Sequence, residues 1–161
     1  MILSTHAIVG GAIASLLPSH PVLTAVAAFA SHFAIDAIPH WDYPLQSVSV
    51  GTAADNRRLR LNRGLLIDLL AIGLDAVAGL LLAIWLFATS ASVWVIALGA
   101  VAAMLPDPLQ FLHSLHPREP LKTLQHFHSW IHTRRRLAWR WGVSSQVTFA
   151  AAIVAITGAL Q

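Results

Sequence analysis

Cysteine is missing from all 161 residues. Its absence excludes disulfide frameworks, thiolate zinc sites and cysteine nucleophiles together, so any metal chemistry must use nitrogen and carboxylate ligands. Charge is nearly as scarce: 11% of residues are charged, against about 25% in an average soluble protein. With 57% hydrophobic residues and a mean hydropathy of +0.67, too few charges remain to cover a water-soluble globule of this size. The balance argues against a soluble enzyme and for an integral membrane protein. Neither an internal repeat nor a low-complexity stretch is evident.

What is abundant is histidine, nine residues against seven acids. The net charge of +3 and a pI near 10.6 would suggest a nucleic-acid partner if the bases were spread over a polar surface. They are not. Arg57, Arg58, Arg60 and Arg63 form one cluster, and Arg118, Lys122, Arg134, Arg135, Arg136 and Arg140 form the other. Clusters beside apolar runs are topology signals, and no nucleic acid is expected.

Cutting the chain at its charges and prolines leaves apolar segments at about Ile2–Leu17, Val22–Ile38, Leu65–Ala88, Ser92–Leu105 and Val143–Leu160. The third reaches about 36 Å at 1.5 Å per residue and spans a bilayer with some tilt; the first two, at roughly 24 and 26 Å, are marginal. The N-terminus lacks a basic n-region and His6 lies in the first helix, so no cleavable signal peptide is expected. The predicted fold is all-α: a polytopic bundle of four to five transmembrane helices forming one integral membrane domain over 1–161. Because short basic loops stay in the cytoplasm, the N-terminus is expected inside and the C-terminus outside an inner (cytoplasmic) membrane. Trp85 and Trp94 then mark the outer interface, and Trp41, Trp130, Trp139 and Trp141 the inner one.

In that topology every acid, and every histidine except His20, lies toward the cytoplasmic side. His32 and Asp36 are four residues apart and share a helix face, as do Asp68 and Asp75 at seven. His128 and His132 repeat the four-residue spacing, with Ser129–Arg136 expected to be helical. An ionisable group in a membrane segment costs about 2.5–3.5 kcal/mol on insertion scales, so such groups face a partner, a cavity or a metal. Histidines and carboxylates without sulfur suit zinc, manganese or iron, and bridging carboxylates suit more than one ion. Other roles stay open. His32 and Asp36 can form a hydrogen-bonded strut, Asp68 can complement a helix dipole or pair with Arg63, and Asp75 can partner His6 or relay protons. His113 and His116 read as loop residues, and Arg134–Arg136 as a lipid-facing run.

The segment Ser31-His32-Phe33-Ala34-Ile35-Asp36-Ala37-Ile38-Pro39-His40-Trp41-Asp42-Tyr43 resembles a motif of the YdjM-like family, bacterial membrane proteins described as metal-dependent hydrolases. An early helical histidine, a Ser-His-x-x-x-Asp helix and a Leu-Pro-Asp turn recur in that family; they are similar here to His6, to the His32 and Asp36 pair, and to Leu105-Pro106-Asp107. The related zinc-dependent phospholipase C and zinc nucleases hold a cluster of zinc ions with such residues. The order of blocks differs: the turn follows the Ser-His-x-x-x-Asp helix here and precedes it in the family. His126-Phe127-His128-Ser129-Trp130-Ile131-His132-Thr133, the nearest counterpart to a His-Arg-Gly-x-Thr-His-Ser stretch that also precedes that helix in the family, lacks its Arg-Gly pair.

The expected function is a membrane-embedded metal-dependent hydrolase acting at the cytoplasmic face on a lipid-type phosphoester, with membrane lipid as its partner. The candidate metal ligands are His6, His32, Asp36, His40, Asp107, His128 and His132. Asp36 and Asp68 are the candidate catalytic carboxylates, and Arg63 and Arg134 the candidate phosphate-binding residues. The alternatives are a metal or proton transporter, disfavoured because no ionisable ladder continues into the outer half, and a non-catalytic membrane scaffold.

Overall fold

The computed structural model describes residues 1–50, 57–59, 62–88 and 92–161, with backbone alone for 48–50 and 57–59. Among these lie seven helices: α1 (Leu3–Leu16), α2 (Pro21–Asp36), α3 (Arg63–Phe87), α4 (Val93–Met104), α5 (Pro106–Leu115), α6 (Leu121–Ile131) and α7 (Trp139–Leu160). A short antiparallel hairpin, β1 (Val48–Val50) with β2 (Arg57–Leu59), precedes α3. Arg60 of the first basic cluster lies outside the described residues, as do the side chains of Arg57 and Arg58.

Local chemistry explains the boundaries. Pro21 opens α2, where its missing N–H costs nothing, and Pro39 follows shortly after the helix ends. Asn62 caps α3 by accepting from the Leu65 amide at 3.2 Å. Pro106 cannot donate back into α4, so the chain bends by 45° between α4 and α5. Ser129–Arg136 is not one helix: α6 stops at Ile131, and His132 is already extended. The reason is tertiary, since the next amides leave the helix to bond α2 and its continuation, Thr133 N–H to the Asp36 carbonyl at 2.9 Å and Leu137 N–H to the His40 carbonyl at 3.0 Å.

Two helices, α3 and α7, are long and apolar enough to cross a membrane; α4 and α5 make a third if counted as one bent span, and α1 and α2 are shorter apolar helices. The core forms around α1, which packs against α2, α3, α4 and α7. Leu3 and Ala7 meet Ala100 and Met104, whereas Ala14 meets Val95 and Ile96, so α4 runs antiparallel to α1. A Cβ on Gly10 would collide with the Gly99 carbonyl, and one on Gly79 with the Ser4 backbone. Small residues therefore bring the helix axes together, as in membrane helix packing. Gly79 beside Ser4 and Gly11 beside Ala83 make α3 parallel to α1. Val9 and Ile13 against Phe149 and Ile153, with Ile2 bonded to Gln146, make α7 parallel too. Elsewhere large apolar side chains are exposed along α3 and α7, and Trp85, Trp94, Trp130, Trp139 and Trp141 lie outward. Trp41 instead packs its Cβ on Gly142.

Candidate metal centre

The site lies where α1 begins and α2 ends. A helix starts with unpaired N–H groups, and α1 has no local cap. Its donors are met from three distant elements: Ile2 N–H by Gln146 Oε1 at 3.0 Å, Leu3 N–H by the Tyr43 oxygen at 3.1 Å, and Ser4 N–H by Asp75 Oδ2 at 3.0 Å. Tyr43 also donates to Asp75. Burial and then the Asp75 carboxylate push the Tyr43 phenol well up, which keeps it a donor. Asp75, which the spacing paired with Asp68, thus serves as a remote cap.

Asp36 occupies the centre and is buried. His6 Nε2 lies 3.3 Å from its Oδ1, and His32 Nε2 and His128 Nε2 each 3.2 Å from its Oδ2. His132 Nε2 and His40 Nε2 follow at 3.8 and 3.9 Å. Asp107 Oδ1 closes the far side, 3.5 Å from His32 Nε2. The His6 and His32 rings stack with centroids 3.9 Å apart. Two groups of ligand atoms lie within 4.8 Å of one another: His32, Asp36, Asp107 and His128, and then Asp36, His40 and His132.

Tautomers are constrained by backbone carbonyls, which only accept. His32 Nδ1 faces the Ala103 carbonyl at 2.8 Å, His40 Nδ1 that of Ile38 at 2.7 Å, and His132 Nδ1 that of Thr133 at 2.9 Å. Each Nδ1 therefore carries a proton, and each Nε2 is turned toward carboxylate oxygens. Such outer hydrogen bonds orient metal-binding imidazoles. Both ring nitrogens of His6 and the Nε2 of His32 have no hydrogen-bond partner despite full burial, although the two Nε2 atoms lie 3.3 and 3.2 Å from Asp36. Ring nitrogens and carboxylate oxygens crowded together in this way are the ligand types a divalent cation takes. At zinc–ligand bonds of 2.0–2.1 Å, tetrahedral ligands stand about 3.3 Å apart, and the spacings from 3.2 to 3.5 Å around Asp36 and Asp107 suit that requirement. The residues present fit a divalent ion.

The second group already holds a cation. The Met1 ammonium lies 2.8 Å from Asp36 Oδ1, 2.8 Å from His40 Nε2 and 3.1 Å from Asp42 Oδ1. Asp42 also meets His40 Nε2 at 2.8 Å. Burial opposes ionisation of Asp42, but the His40 hydrogen bond and the ammonium outweigh it and hold the carboxyl well below its usual range. Burial pushes His132 down, favouring the neutral ring that a ligand needs.

All seven candidate metal ligands, His6, His32, Asp36, His40, Asp107, His128 and His132, thus meet around one carboxylate. Asp68 does not join them: it accepts from Gln46 N–H at 3.1 Å, Ser47 N–H at 2.8 Å and Ser47 Oγ at 2.6 Å, which anchors the loop before β1. Arg63 is exposed at the first residue of α3, and Arg134 is exposed beyond α6; neither forms an ion pair with a site residue among those described. Sequence reasoning missed the Met1 amine, which carries no residue-type signal, left Asp42 and Tyr43 without roles, and read Arg136 only as part of a lipid-facing run. For Asp42 the signal was its place two residues after His40. His113, His116 and His126 stay outside both groups. No protein-family model, curated protein or solved structure matches the chain.

Proposed function

We propose that this chain is a membrane-embedded metal-dependent hydrolase acting on a phosphoester of lipid type, as the resemblance to the YdjM-like family implies. The observation that carries the reading is the crowding of His6, His32 and His128 ring nitrogens on Asp36 at 3.2–3.3 Å, with both His6 nitrogens and the Nε2 of His32 buried without hydrogen-bond partners. His32, Asp36, Asp107 and His128 would hold the ion, zinc being the leading choice with manganese or iron next, and His6 would complete the set. A bound divalent ion supplies water acidification and charge stabilisation at a phosphoryl oxygen. The chain's own part is orientation. The Ala103 carbonyl fixes the His32 ring, the Thr133 carbonyl fixes His132, and Asp107, a third exposed, is the carboxylate best disposed to accept a proton from an entering water. Asp36 is enclosed by histidines and acts as a shared ligand.

In the five-span arrangement, α1, α3 and α7 run outward, and α2 and α4 return. The parallel packing of α1 with α3 and α7 supports it. The lipid-type substrate draws support from α3, whose twelve residues before Asp75, Arg63 to Leu74, continue about 18 Å past the level of Ser4. Leu66, Ile67, Leu69 and Leu70 are exposed there, so hydrocarbon surrounds the level of the site. The test is hydrolysis in mixed micelles by protein of known metal content. Activity on a lipid phosphoester should vanish with chelator and return with Zn²⁺ or Mn²⁺. Metal-loaded protein inactive across lipid phosphoesters would refute this class of reaction.

A further inference from the structure

Which side of the cluster is open follows from exposure. His6, His32, Asp36, His40 and the Met1 side chain are buried, while Asp42, His132 and Asp107 are 20%, 26% and 33% exposed. Those three residues border the mouth. Two are carboxylates, so an approaching anion meets repulsion unless a fixed cation stands beside them. The segment joining α6 to α7 brings one. Bonds from Thr133 N–H to the Asp36 carbonyl and from Leu137 N–H to the His40 carbonyl strap it across the end of α2, and His40 and Arg136 pair as an isolated bridge. Arg136 Nε then lies 3.9 Å from Asp42 Oδ2, beyond hydrogen-bond length, with the side chain 62% exposed. A guanidinium tethered by its backbone at the mouth, paired with Asp42 by charge but not by a hydrogen bond, keeps its fork of donors for a planar pair of acceptor oxygens.

We propose that Arg136 receives a phosphate-type oxyanion of the substrate at this mouth. The role rests on the metal-dependent reading above and differs from the sequence expectation, which named Arg63 and Arg134. A lipid phosphate and a soluble phosphoester present the same oxygens, so the shared chemistry is the phosphate group.

The test measures binding without turnover. Full-length protein in detergent micelles is loaded with Zn²⁺, its metal content is measured, and radiolabelled inorganic phosphate is titrated by equilibrium dialysis. Arg136→Gln should weaken phosphate binding about ten- to a hundredfold, the loss of a charge-assisted hydrogen-bonded pair. Metal content should not change. Arg136→Lys, which keeps the charge but not the fork, should fall between, and Arg140→Gln should match the unaltered protein. Competition by dihexanoyl phosphatidic acid at lower concentration than glycerol 3-phosphate assigns the phosphate to a lipid, and equal competition assigns it to a soluble ester; either upholds the oxyanion role. Metal-loaded Arg136→Gln binding phosphate as tightly as the unaltered protein would overturn it and leave the metal reading intact. Unaltered protein that takes up no metal would sink both.

Discussion

At the scale of single residues, the centre is one carboxylate crowded by histidines. Asp36 has at most two oxygens, and five histidine nitrogens lie within 3.9 Å of them. Removing Asp36 takes away the shared ligand, and removing His32 takes away a ring oriented by the Ala103 carbonyl. Asp36→Ala and His32→Ala should each lower metal affinity by more than the ten- to hundredfold typical of an outer hydrogen-bond partner, while His20→Ala should leave it unchanged, as read by elemental analysis after gel filtration. Equal metal in all three would make the His32 and Asp36 pair a strut. The pH dependence has a definite sign. A metal-binding histidine must be neutral, so protonation works against the bound state. Metal should be retained at pH 7 and released progressively as pH falls below about 6.5. Asp42, whose carboxyl is held down, favours the folded state above its unfolded value of about 3.9 and loses that contribution only as pH drops below it. Metal loss should therefore precede acid unfolding in a pH titration followed by metal content and near-ultraviolet circular dichroism.

Among the elements, α1 decides the geometry and is itself held by others. Its first amides depend on Gln146, Tyr43 and Asp75, and its glycine face lies on α4. Gln146→Ala leaves the Ile2 N–H unpaired beside a buried position, and Asp75→Ala does the same to Ser4 N–H. Each should cost about 1–3 kcal/mol, read as a lower midpoint of thermal unfolding in detergent. Asp75→Asn keeps a carbonyl oxygen for Ser4 N–H and should cost less. If Asp75→Ala and Asp75→Asn unfold at the same temperature as the unaltered chain, the cap contributes nothing. The ordering of α1 carries His6 toward Asp36, so a measured loss of the cap should also weaken metal binding.

For the molecule as a whole, direction is the issue. Parallel α1, α3 and α7 with antiparallel α4 put the beginnings of three helices and the end of a fourth on the side of the site. If the proposed five spans hold, the two ends of the chain lie on opposite sides, the arrangement expected from basic clusters retained inside. A reporter fused after Gln161 should read as external and one inserted near Ala54 as cytoplasmic. Both reporters on one side would remove a span and with it the shared depth of the metal ligands.

Composition alone determined that this chain is apolar and without thiolate ligands, because hydropathy and residue chemistry do not depend on partners. Spacing alone was enough for His32 and Asp36, which lie four apart inside one helix. It was misleading for Asp68 and Asp75, also on one helix: a shared face does not say what lies opposite, and a loop and the start of α1 took these carboxylates as hydrogen-bond partners. Nor could periodicity end α6 at Ile131, since the competing bonds come from carbonyls nearly a hundred residues earlier in the chain. Only the tertiary structure could bring the Met1 amine, Asp42 and Arg136 to the same mouth. Those contacts arise from close helix packing at glycine and from backbone bonds between distant segments, which leave no period in a sequence.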